Sequence, residues 1–177
     1  MALRDRVFSL WTERLIWVRQ FIISIMLGLR DLSFVAQRTL RNSTEFGQII
    51  SNFFGFEAGQ RFENLLVQWV LILSELASTV KTGGQTDLIL EKWRALADEI
   101  ADFLSGLNPY WDKTSVSSIL YDQMKLEEEF IRLLRNERYA EAVAQFDAAH
   151  DNALRASQLM FEGVSMRVPN LDSSLQV

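Results

Sequence analysis

The chain has 177 residues, 49% of them apolar, no cysteine and a formal net charge of −5. That length buries one sizeable core and that composition excludes a disordered chain. The absence of cysteine removes any disulfide framework, thiolate metal site or thiol nucleophile and leaves the compartment open, with the cytoplasm favoured. Two prolines and eight glycines, set among stretches rich in Ala, Leu, Glu, Arg and Gln, point to helices rather than strands.

A first helix is predicted from about Arg6 to Leu29, with Phe8, Trp11, Leu15, Val18, Ile22, Ile25 and Leu29 on one line. Phe21 to Leu29 is uncharged but far shorter than the roughly 20 residues a spanning helix needs. No small-residue cleavage site follows it, so it reads as a soluble helix. Residues 1–41 carry seven arginines against Asp5, Glu13 and Asp31. Such a basic, aromatic segment suits either docking on acidic neighbours or contact with an anionic surface.

A short helix capped by Asp31 is expected through Leu40. Another, capped by Asn42 or Ser43, carries Phe46, Ile49, Ile50, Phe53 and Phe54 inward. Gly55 breaks the chain before the strongest helical signal, Phe62 to Val80, whose apolar positions run nearly all round its middle. A helix of that kind belongs at the centre of a bundle. Lys81 to Gln85 forms a loop, and Asp87 caps a helix facing inward through Leu90, Trp93, Leu96, Ala97, Ile100, Phe103, Leu104 and Leu107. Asn108-Pro109 stops it, because the residue before proline is pushed out of helical angles. Tyr110 and Trp111 then cover the bundle end. Helices from Ser115 to Leu134 and from Asn136 to Met166 complete the set, and Pro169 onward reads as a frayed tail.

The expected fold is all-α: a helical bundle of stacked antiparallel hairpins forming one domain over residues 1–168, with residues 169–177 as tail. A weak spacing of about 55 residues aligns Arg14, Trp69 and Gln123 and suggests three degenerate hairpin repeats, 6–54, 56–107 and 115–166.

The segments WTERLIWVR, SFVAQRTLRN, FENLLVQWVLILSEL, KWRALADEIADFLSGLNPYW, SSILYDQM and AVAQFDAAHDNAL together resemble a group of small all-helical bacterial proteins. These occur in spore-forming Gram-positive bacteria and relatives, have no established function, and are sometimes mislabelled as kinases. Ala97 to Ala101 and Asn108 to Trp111 are the most distinctive pieces, and the resemblance covers nearly the whole chain. It implies histidines on the inner faces of three long helices, where this chain has Arg14, Trp69 and Gln123. It also implies an Asn and an Asp where this chain has Leu96 and Gln158. Each departure removes a metal ligand or proton carrier.

Kinase chemistry has no support in the residues. Gly83-Gly84 lacks the glycine-rich spacing and the following Lys-Ser or Lys-Thr of a phosphate loop. No serine is placed to form a triad with His150, the one histidine. A ferritin-like di-metal site needs two Glu-x-x-His motifs, and the chain offers only Asp147-Ala-Ala-His150.

Polar residues inside apolar stripes carry more information. Arg14 lies among Trp11, Leu15 and Val18, and Gln123 among Ile119, Leu120, Leu126 and Phe130; Glu127 and His150 sit on or near inward lines. A buried guanidinium needs a partner. An internal polar cluster is therefore expected, with Arg14 against Glu75 or Glu127 and with Gln123 and His150 nearby; the alternative is that Arg14 snorkels at the bundle edge. Trp17, Ile16 and Phe21 point away from the main stripe of the first helix, which suggests a partner surface with Trp11, Trp17, Phe21 and Arg14 in contact.

The favoured function is a non-catalytic structural or interaction protein, self-associating through the first helix, with no cofactor and no bound metal. The runner-up is a small-molecule or metal-binding bundle built around Arg14, Gln123, Glu127 and His150. Third is a peripheral membrane-surface protein using the basic aromatic N-terminus. Nucleic acid is not an expected partner at this charge.

Overall fold

The structure, a computed structural model, describes residues 2–167. The tail expected from Pro169 onward lies outside them. Among the described residues there are seven helices and no strand: α1 Leu3–Leu27, α2 Leu32–Phe54, α3 Phe56–Thr82, α4 Asp87–Leu107, α5 Lys113–Arg135, α6 Tyr139–Ala144 and α7 Phe146–Arg167. They form an all-α helical bundle.

The long helices alternate in direction. Ser24 bonds Asp31 and Asn42 bonds the carbonyl of Leu10, so α1 and α2 are antiparallel. Lys92 pairs with Glu75, and Tyr121 with Asp98, which sets α4 antiparallel to both α3 and α5. Asn152 reaches Ile119 and Gln123, and Arg19 reaches Ala142, so the last helices run back along both α5 and α1. Consecutive long helices pack side by side, α7 closes the ring against α1, and α1, α3 and α5 also touch one another. Those three parallel helices form the inner layer, with α2, α4 and α7 outside it.

The inner layer accounts for the breadth of apolar sequence in α3. Phe62, Leu65, Leu66, Trp69, Val70, Leu73, Leu76, Ala77 and Val80 are all buried. This is also the one described helix long and apolar enough to cross a membrane, a property that a core helix with neighbours on several sides shares.

Sequence and structure part at four junctions. The break expected near Asn42 is absent, and α2 runs unbroken through it. Asn42 and Ser43 are fully buried in the middle of the helix rather than capping one, and the Asn42 side-chain N–H donates to the Leu10 carbonyl at 3.1 Å. Asp31 turns its carboxylate onto Ser24 and Gln20 instead of the amides of α2. Asp87 is the first residue of α4 rather than its cap. The last helix starts after Gln145, preceded by the short α6, with the Gln145 amide bonded to the Leu126 carbonyl at 2.8 Å. Asn108 does stop α4, and Trp111 is buried while Tyr110 is exposed.

Two close approaches tighten the bundle. At Gly47 and Gly59 the backbones of α2 and α3 come together, and a Cβ on Gly59 would collide with Ser51 and the Gly47 carbonyl. At Gly163 the missing side chain makes room for the Trp111 indole, which donates to the Leu159 carbonyl at 3.1 Å.

Candidate functional site

The inner faces of α1, α3 and α5 meet at Glu127. Its Oε2 accepts a hydrogen bond from the indole N–H of Trp69 at 2.9 Å, and its Oε1 accepts one from the Gln123 amide at 2.6 Å. The Gln123 carbonyl oxygen accepts from Asn152 at 3.1 Å, and Arg155 at the surface donates to Asn152 at 3.4 Å and to Asp122 at 2.8 Å. A chain of hydrogen bonds thus runs from the protein surface on α7 to a carboxylate in the core.

Arg14 completes the cluster. It is 6% exposed and Glu127 is 5% exposed. The two charges interact, but among the described residues no carboxylate lies within ion-pair distance of Arg14, and both terminal guanidinium nitrogens are buried without a hydrogen-bond partner. Burial lowers the Arg14 pKa, with Glu127 offsetting part of the effect. Burial raises that of Glu127, against the pull of Gln123, Trp69 and Arg14. Desolvation therefore outweighs attraction at both groups.

Arg14, Gln123 and Glu127 come together as a cluster, and snorkelling at the bundle edge is ruled out for Arg14 by its burial. Glu75 and His150 fall outside. Glu75 lies six residues from Trp69, a rotation of about 240° around the helix, so it is exposed and pairs with Lys92 at 2.9 Å. His150 is two residues from the inward Asn152, hence on another face of α7, where it stacks half-buried on Phe146. Trp69 and Asn152 take their places. The indole nitrogen of Trp69 gave no sign in a sequence where its ring fits the apolar stripe. Asn152 had a signal, an amide between the small inward residues Ala149 and Ala153. Of the other two positions the resemblance singled out, Leu96 is core and Gln158 is exposed.

No group of three or more His, Cys, Asp or Glu side chains among the described residues is arranged to hold a metal ion. A metal reading of the cluster lacks a ligand set, because Glu127 is its one carboxylate and His150 lies elsewhere.

Beside the cluster a cavity of about 20 Å³ opens between α1, α5 and α7. Gln123 and Glu127 line it together with Leu15, Val18, Ile22 and Arg19. Arg19 lies over the Phe130 ring at 3.9 Å and donates to the Ala142 carbonyl at 2.8 Å. Burial lowers its pKa as well.

The three aromatic residues expected at a partner surface are placed differently. Phe21 is core, at 4% exposure. Trp11 is half-buried edge-on against Phe46, and Trp17 is half-buried with Arg38 over its ring at 5.2 Å. The exposed apolar residues of α1 are Ile16 and Leu27, at 48% and 51%, with half-buried Gln20 and Ile23 between them. Part of the basic N-terminal segment is used within the protein, Arg14 and Arg19 as above and Arg38 on Glu13 at 2.5 Å, while Arg4, Arg30 and Arg41 are exposed, Arg41 beside Glu45 at 3.1 Å.

No family model, no curated protein and no solved structure matches the chain.

Proposed function

We propose that this chain is a non-catalytic interaction protein that self-associates through the outer face of α1. The observation that carries the reading is the strip Ile16, Gln20, Ile23 and Leu27. It has i, i+4, i+7, i+11 spacing on a helix whose other faces already meet α2, α3, α5 and α7. The strip is about 16 Å long. Two helices adjoin α1 nearby, α2 through Thr39 on the Trp17 carbonyl and α6 through Ala142 on Arg19, and they carry the exposed Phe34 and Val143. A second copy fits it by apolar character, because antiparallel pairing centred on the strip sets Ile16 of one copy against Leu27 of the other.

The internal cluster supports a non-catalytic role. A carboxylate 5% exposed, with a donor on each oxygen, is held in place rather than offered to a substrate proton. The resemblance to small all-helical bacterial proteins belongs to the same proposal. At the positions where those carry histidines, this chain sets Arg14, Trp69 and Gln123 around Glu127, so a reactive polar centre is replaced by a closed hydrogen-bonded one. Internal use of Arg14, Arg19 and Arg38 weighs against the membrane-surface alternative.

Sedimentation velocity across a wide concentration range tests this. A small interface of this kind predicts a weak dimer, so the sedimentation coefficient rises with concentration in the wild type and stays at the monomer value in an Ile16→Lys/Leu27→Lys double variant. A wild type that remains monomeric at the highest concentration overturns the proposal.

A further inference from the structure

Two contacts fix the register between the antiparallel helices α4 and α5. Tyr121 donates its hydroxyl to Asp98, and Arg132 donates to Thr86 at 3.3 Å. One turn along α5 from Tyr121 stands Lys125, and one turn back along α4 from Asp98 stands Arg94. The two steps match, so Arg94 and Lys125 stand at one level on either side of the same groove. Among the described residues they are the two cations of α4 and α5 with neither an ion pair nor a hydrogen bond. Lys92, Lys113 and Arg132 each hold an acid, and Arg135 donates to the Val80 carbonyl. Of the acids within a turn of the pair, Asp98 is taken by Tyr121, Asp122 by Arg155, Glu128 by Arg132 and Glu129 by Gln145. Glu91 lies outside the groove lining. In a chain of net charge −5, two like charges set level without an acid between them create a local demand for an anion.

The groove gives that anion room and an apolar bed. Its volume is about 390 Å³, and Leu90, Tyr121, Met124 and Glu128 line it together with the two cations. Met124 is buried and Leu90 half-buried, while Arg94 and Lys125 are exposed. The floor is therefore apolar and the rim positive. Small-molecule sites of ~300–1,000 Å³ share that make-up, mostly apolar with a few convergent polar groups. Length decides the size of the occupant. From Tyr121 to Glu128 the groove follows two turns of α5, roughly 10 Å, too short for a docked helix of three turns and enough for a medium-length alkyl or aryl body. A carboxylate suits the head, because it offers one oxygen to each cation.

We propose that this groove binds a small amphipathic monocarboxylate, its carboxylate shared by Arg94 and Lys125 and its apolar body laid on Leu90, Met124 and the Tyr121 ring. Met124 adapts to the shape of that body, since an unbranched thioether repacks at little cost. The groove includes no residue of α1, so this site and self-association through the outer face of α1 stand or fall separately.

The test uses the full chain and octanoate, with binding followed by backbone amide shifts in NMR. The shifts gather on residues 90–98 and 121–128 and saturate. Acetate, which has the head without the body, binds at least ~tenfold more weakly because it lays no methylenes on the floor. The alcohol 1-octanol, which has the body without the charge, also binds at least ~tenfold more weakly. The double variant Arg94→Gln/Lys125→Gln, at two exposed positions, keeps the fold and weakens octanoate ~tenfold or more. Shifts that gather on the strip from Ile16 to Leu27 instead, or no saturable shifts at all, overturn the proposal. Octanoate affinity unchanged in the double variant overturns it as well, because the cations then hold nothing. Acetate or 1-octanol binding as tightly as octanoate does the same, since floor or rim then contributes nothing.

Discussion

The indole N–H of Trp69 and the carboxylate of Glu127 meet at 2.9 Å across 58 residues of sequence and tie α3 to α5 at the centre of the bundle. The bond supplies a buried carboxylate with one of its acceptances and a buried indole with its partner, where either left alone would be unsatisfied. With Gln123 on the other oxygen and Arg14 close by, the cluster is lopsided. The anion is well provided with donors, and the cation is poorly provided with acceptors.

That imbalance predicts unequal costs of removal. Glu127→Met leaves the Trp69 and Gln123 donors unpaired and Arg14 as an uncompensated buried charge, a loss of about 3–5 kcal/mol. Arg14→Met removes two unpartnered donors and leaves Glu127 with both hydrogen bonds, so its cost is about 1 kcal/mol or less. Urea unfolding of the two variants measures the difference. Equal losses would mean that Arg14 is satisfied by contacts as good as those of Glu127.

Much of this layout was legible in the sequence. The apolar period of α3 marked the central helix, because a helix surrounded by others must be apolar on most sides. Arg14 and Gln123 were conspicuous as polar residues in apolar lines. What stayed hidden depends on tertiary contact. Asn42 reads as a helix cap because its amide can serve a local amide, and only the arrival of Leu10 from α1 converts it into a mid-helix residue bonding another helix. Trp17 and Phe21 seemed to share an outer face because the width of the inner stripe on α1 depends on how many helices surround it. With four neighbours, Phe21 turns inward, and Ile16 keeps its outward place on a strip continued by half-buried Ile23 and exposed Leu27.

Glu127 also sets a pH dependence. Its folded pKa lies above the ordinary value of 4.5 because burial outweighs its hydrogen bonds and Arg14. Between those two values the folded state binds more proton than the unfolded one, so the contribution of Glu127 to stability is fully present below the unfolded pKa. It is lost as pH rises through the folded pKa. Exposed Asp112, held low by the Ser115 amide, behaves oppositely, with its contribution lost as pH falls below the ordinary carboxylate range. Stability curves of wild type and Glu127→Gln isolate the buried group: the wild type loses stability relative to the variant as pH climbs from 4.5. A constant difference across that window would show that Glu127 titrates no differently in the folded chain.

Glycine at the helix crossings carries the last prediction. A methyl group on Gly163 would enter the Trp111 indole, which is 1% exposed and bonded to Leu159, and one on Gly59 would enter Ser51 and the Gly47 carbonyl across the α2–α3 contact. Neither neighbour is the free end of a flexible chain, so backbone or ring must move. Overpacking of this kind costs about 1–3 kcal/mol. Gly106 supplies the control, because a Cβ there meets nothing within 4 Å and its residue lies in the last turn of α4. Gly106→Ala should stabilise by about 0.5–1 kcal/mol through the reduced freedom of the unfolded chain. Gly163→Ala and Gly59→Ala should therefore melt below the wild type and Gly106→Ala above it. In Gly163→Ala the tryptophan emission should also shift to the red as Trp111 loses its enclosure. Neutral substitutions at both crossings would mean that the helices are free to separate there, and that the bundle is held by its apolar inner layer alone.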